Sequence, residues 1–192
     1  MKLLEKMMSD KFDEVYSFRQ RLSEESDRGC ALMAAAYLDE ELKKLLQKSF
    51  VNDKKIYNEI LDHSAPLGSF SARIDLAYLL GLISKKSRRD LHLIRKVRNA
   101  FGHSSQKLTF ADRAIAARCK ELYHVGVDTA KPRAKFSRVV MGVLAIIHSQ
   151  IYLLKPIKAR EEVDMTKWKK AFEEVARSVL EPEVINKLIK PN

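Results

Sequence analysis

The sequence predicts an all-α protein, a multi-helix bundle of about seven to nine helices, and three observations carry that expectation. Apolar residues recur at steps of three and four through most of the chain. Only 6 Gly and 5 Pro interrupt 192 residues, and long stretches are Leu, Ala, Lys, Glu and Arg, which lose little side-chain freedom in a helix. No segment shows strand-like alternation and no repeat has a solenoid period. With 46% hydrophobic residues the chain can bury a substantial core. Its length fits a single helical domain over 1–192, with a core at about 20–156 and a C-terminal helical appendage at 157–192.

The elements follow in order. Leu4, Met7, Met8, Phe12, Val15, Phe18 and Leu22 mark a first helix from about Leu3 to Leu22. Ser26-Asp27 offers an N-cap for a second helix running to about Phe50. The centre of that helix, Cys30 to Leu38, is apolar on nearly every face, which places it centrally in a bundle. Asp53 starts a short helix ending near His63, and Ser64 to Ser69, with Pro66 and Gly68, is a loop. A helix spans about Phe70 to Leu82. Ser84 or Ser87 caps the next, which carries Leu91, Ile94, Val97 and Phe101, and Gly102 is a natural place for it to fray or stop. Ser104 to Leu108 is a polar break before a helix from about Thr109 to Tyr123, and Gly126 to Arg133 reads as a loop. A core helix covers about Phe136 to Leu154 and stops before Pro156. Two amphipathic pieces end the chain, around Trp168–Val179 and Glu183–Ile189.

The formal charge is +11, from 36 Lys and Arg against 25 Asp and Glu. It is uneven: residues 1–96 hold 18 basic and 15 acidic residues, residues 97–192 hold 18 and 10. Such a surplus suits an anionic partner, whether RNA, DNA or an acidic protein; a merely solvated surface is the other reading. Cys30 and Cys119 lie far apart in apolar contexts, as buried free thiols of a reducing cytoplasm do. The start of the chain lacks the pattern of a signal peptide. The apolar run from Val139 to Leu154 is shorter than the roughly 20 residues of a membrane span. The expectation is therefore a cytoplasmic protein with no membrane partner. His63, His92, His103, His124 and His148 are dispersed, and no phosphate loop, Cys cluster or calcium loop occurs, so no metal and no cofactor are expected.

The run Arg98-Asn99-Ala100-Phe101-Gly102-His103 differs from its surroundings. On a helix Asn99 and His103 share a face, Arg98 sits one position round, and Arg95 lines the Asn99 side. An imidazole, a permanent cation and an amide in one cleft suit metal-free RNA cleavage. The imidazole would move the 2′-hydroxyl or leaving-group proton, and the guanidinium would stabilise the charged phosphorus. One acid–base residue per chain favours a homodimer that brings two such helices together. The other reading is structural: Arg98 pairs with Asp27, Asp39 or Asp90, and His103 helps end the helix. Lys85, Lys86, Arg88 and Arg89 place four cations at the start of the same helix. They attract nucleic acid or an acidic partner, or else form a solvated helix start. Asp27, Arg28 and Gly29 read as a structural motif that caps the second helix or pairs with charges on the Arg98 helix.

At these residues the chain is similar to the bacterial mannitol operon repressor family. The likeness is carried by Glu25 to Gly29, Ala34 to Glu40, Ser69 to Ile74 (with Arg73) and Asp90 to His103, in order over about residues 20–105, and more weakly through the 139–154 helix. The resemblance implies a multi-helical regulator of sugar-alcohol uptake genes that lacks a helix-turn-helix and represses through a protein or nucleic-acid partner. Arg98, Asn99 and His103 also resemble the R-x4–6-H motif of HEPN domains, many of them dimeric ribonucleases or toxins. That implies a HEPN-like bundle whose catalytic use of these residues is the alternative to non-enzymatic regulation.

Overall fold

A computed structural model describes residues 2–62, 64–123, 131–181 and 184, with side chains described from residue 13 onward. Among the described residues there are eight helices and no strand: α1 Lys2–Glu24, α2 Asp27–Ser49, α3 Lys54–Leu61, α4 Phe70–Leu79, α5 Lys85–His103, α6 Arg113–Lys120, α7 Pro132–Leu153 and α8 Met165–Val179. The chain falls into two compact units, Met1–Lys158 and Ala159–Asn192.

In the first unit α2 is the central helix and packs against α1, α4, α5 and α7. Its Cys30, Ala31, Ala34, Ala35, Leu38, Leu42, Leu45 and Leu46 are fully buried. Four small residues near its N-terminal half let neighbouring helices approach closely. α7 supplies the opposing wall with Phe136, Val139, Val140, Val143, Leu144 and Ile147, none exposed. By length and composition α7 could cross a membrane; here that apolar face forms the core of the unit. Phe110 joins the two sides, its ring 5.1 Å from Phe101 and 5.0 Å from Phe136. His148 is part of this interior, with Nε2 2.8 Å from Oε2 of the buried Glu41.

Some helix ends match the sequence expectation and others depart from it. Ser26 caps α2 by accepting from the Gly29 amide, Asp53 caps α3 and Ser69 caps α4. α4 stops at Leu79 rather than Leu82, because Gly81 takes φ +71 and turns the chain out of the helix. Ser84 caps α5, which continues through Gly102 to His103. α6 begins at Arg113, not Thr109: the Thr109 amide and hydroxyl both donate to Asp112 Oδ2, closing a turn over those residues. α7 starts four residues before Phe136, with Pro132 in its first turn, where the missing amide costs nothing. The expected piece at Glu183–Ile189 lies, except for Val184, outside the described residues.

In the second unit Asp164 caps α8 through the Thr166 and Lys167 amides, and the Trp168 and Phe172 rings stack at 5.4 Å.

Candidate functional site

α5 carries seven Lys or Arg residues and a single carboxylate. Leu91, Ile94, Val97 and Phe101 form its buried stripe. The carboxylate, Asp90, is also buried and accepts from the Tyr123 backbone amide at 2.9 Å. All the exposed charge on the helix is therefore positive. Steps of three and four place Lys85, Arg88, Arg89, His92, Arg95, Lys96, Asn99 and His103 along one side of it.

The two ends of this face differ. At the N-terminal end neighbouring elements partly neutralise the cations. Asp75 of α4 accepts from Arg88 Nε at 2.7 Å and lies 3.0 Å from His92 Nε2. The hydrogen bond from His92, and then that from Arg88, hold the Asp75 carboxyl below its ordinary range. Arg89 pairs with Glu121 at 3.2 Å. Lys86 donates to the Tyr123 hydroxyl and lies 3.7 Å from that ring's centre, while the Arg88 guanidinium lies 5.5 Å from the ring of Tyr78. Lys85 has no ionic partner among the described residues.

Toward the C-terminal end, Arg95, Lys96 and Arg98 have no carboxylate partner among the described residues. Arg95 is half-buried, and its Nε is buried without a hydrogen-bond partner. Arg98 is exposed and donates to Asn99 Oδ1 at 3.0 Å. His103, the last residue of α5, is also exposed. Arg98, Asn99 and His103 thus sit together at one exposed helix end. The carboxylates that sequence reasoning offered to Arg98 are engaged elsewhere: Asp27 with Arg133, Asp39 with Arg73, and Asp90 with Tyr123.

Asp27, Arg28 and Gly29 brace that end. Asp27 accepts from the Phe110 amide and from Arg133, both at 2.8 Å. Arg28 donates to the Ser104 carbonyl at 2.6 Å and the Gln106 carbonyl at 3.3 Å, just beyond His103. A Cβ on Gly29 would sit 2.0 Å from a Glu25 carboxylate oxygen, so the bare α-carbon leaves room for that side chain. A cleft of about 420 Å³ opens beside this brace, lined by Ser26, Asp27, Arg28, Gln106, Lys107 and Thr109 among others. Sequence reasoning missed the cleft and Lys107, since the loop approaches Arg28 only through the fold. Arg73 is structural: 3% exposed, it donates to Asp39 at 2.7 Å and to the Leu61 carbonyl at 2.6 Å. Among the described residues no cluster of three His, Cys, Asp or Glu could hold a metal.

A family model described as the mannitol repressor matches residues 13–140, which include all of α5. Two curated relatives are mannitol operon repressors of Escherichia coli, strain K12 and strain O6:H1. Each is 26% identical over 135 residues, covering 66% of this chain and 69% of the relative. A solved structure, the MtlR-HPr complex from Escherichia coli, aligns with a TM-score of 0.57 and 21% identity, covering 68% of this chain and 98% of that one. That likeness is one of fold.

Proposed function

The chain belongs to the mannitol repressor family, and from that premise we propose that it regulates transcription of a sugar-alcohol operon by binding a protein partner. Family membership across residues 13–140 is the observation that carries this reading. The neighbouring structure was solved with HPr, which supplies the first partner to try. The exposed face of α5 is the contact surface we favour: Arg95, Lys96 and Arg98 keep charge that the fold does not neutralise, and such charge steers and orients an anionic partner surface. Lys85, Lys86, Arg88 and Arg89 extend it. In this reading the protein acts in the bacterial cytoplasm, where Cys30 and Cys119 stay reduced. The test is a reporter fused to the operon's promoter in a strain lacking this gene. The wild-type gene restores repression, and Arg95→Glu with Lys96→Glu does not. Repression that survives the charge reversal and needs no protein partner would sink the proposal, and salt-dependent binding of DNA or RNA in place of a protein would redirect it.

One observation favours a second reading, a metal-independent HEPN-type endoribonuclease. Arg98, Asn99 and His103 share one helix end, where His103 can move a proton and Arg98 can face a phosphate. Labelled RNA incubated with the protein in EDTA decides it. Cleavage lost in both His103→Ala and Arg98→Ala would establish the enzyme; intact RNA would remove it.

A further inference from the structure

α8 lies beyond the matched family region and in the second unit, and the regulatory reading makes no use of it. Its bulky apolar residues are Met165, Trp168, Phe172, Val175 and Val179, spaced three, four, three and four apart. That is the a and d repeat of a coiled coil over two heptads. All five face solvent, from Phe172 at 43% exposed to Val179 at 75%. A 15-residue helix with this side uncovered is only marginally stable in water. The seam therefore calls for an occupant.

The pattern specifies that occupant. At 100° per residue the five side chains span an arc of about 80°, narrower than the stripe of roughly 100° or more with which a helix covers a globular core. Ala171 and Ser178 border the seam on one side, and small borders let one other helix come close; Ala176, on the other side, is already buried. The two charged residues at the seam's edge are Asp164 and Lys169, opposite in sign and five positions apart. In a parallel, in-register pair, positions five apart face each other across the seam. Asp164 of one chain then meets Lys169 of the other, twice in a symmetric pair. Asp164 Oδ1 accepts both capping bonds, and Oδ2 makes a loose, exposed pair with Lys167 Nζ at 3.9 Å, which Lys169 of the second copy can join. An antiparallel pair would set these charges against neutral residues. Lys167, Lys170, Glu173, Glu174 and Arg177 point away from the seam in either case.

We propose that α8 is a self-association helix: two copies of this chain pair through parallel, in-register α8 seams, with Trp168 facing Trp168 and Phe172 facing Phe172. The interface is isologous, as closed two-fold dimers require. Two heptads are few for a coiled coil, so the dimer is weak and concentration-dependent.

Trp168 is the only tryptophan in the chain, so its fluorescence reports on this seam alone. The full chain is studied by sedimentation equilibrium and tryptophan emission over a wide concentration range. The expected result is a reversible monomer–dimer equilibrium with a blue shift that tracks the dimer fraction. Phe172→Glu abolishes both while the thermal unfolding of the first unit stays unchanged, and Lys169→Glu raises the dimer dissociation constant several-fold. Val175→Cys forms an intermolecular disulfide under mild oxidation, since Cys30 and Cys119 are fully buried. A monomer at every concentration overturns the proposal, as does a dimer that survives Phe172→Glu, or a blue shift that appears only with added anionic vesicles or HPr. A dimer lost in Phe172→Glu but never cross-linked through residue 175 overturns the parallel register.

Discussion

Replacing Asp27 with alanine removes the bond that ties the start of α2 to both Phe110 and α7. Phe110 is 2% exposed, so its amide loses its partner without gaining water, at a cost of about 1–3 kcal/mol. Arg133 keeps the carbonyls of Leu22, Ser23 and Glu25. The lost ion pair joins side chains 24% and 33% exposed, so it adds only about 1 kcal/mol. The total is roughly 2–4 kcal/mol, which for a unit of this size lowers Tm by about 4–16 °C. Calorimetry of Asp27→Ala, Arg133→Met and the double variant measures it, with an expected coupling of about 1 kcal/mol between the two sites. Asp27→Asn, which keeps an acceptor for the Phe110 amide, loses less. A Tm within a degree of wild type, or strictly additive single effects, would refute the role given to Asp27 as a cross-brace.

Arg73→Met takes the guanidinium from Asp39, leaves the buried Leu61 carbonyl without its donor, and is expected to destabilise by about 1–3 kcal/mol in denaturant titration. Arg73→Lys recovers little of this, because only the guanidinium fork reaches both acceptors. Burial pushes the thiol of Cys119 up to about 12 and raises that of Cys30, so neither reacts with a disulfide reagent at pH 8 until the protein is unfolded. Asp75 has a depressed folded pKa, so its contribution is present above the unfolded value of about 3.9 and is lost as pH falls through the folded value. Asp75→Asn should therefore flatten the decline of Tm below about pH 4, and an unchanged slope would contradict the His92 and Arg88 contacts.

Local chemistry explains what was legible in the sequence. The apolar stripe of α5 and the capping residues Ser26, Asp53 and Ser84 act within a turn of themselves, so periodicity and cap identity locate those helices. The crowded centre of α2 likewise announced its central place. The start of α6 was misread because Asp112 closes a turn with Thr109 that resembles a helix start. The start of α7 was misread because Pro132 suits a loop and a first helical turn equally well. At the candidate site, the residues Arg98, Asn99 and His103 stood out as a run, but their surroundings did not. Arg28 reaches the Ser104 carbonyl across 76 positions of sequence, and Asp75 reaches α5 from α4; no local pattern encodes such meetings.

The most direct measurement is calorimetric titration of this chain with HPr. The expected result is saturable binding that weakens at least tenfold, or 1.4 kcal/mol, in the Arg95→Glu, Lys96→Glu, Arg98→Glu variant with its Tm preserved. No binding by the wild-type chain, together with EDTA-resistant RNA cleavage that disappears in His103→Ala, would contradict it.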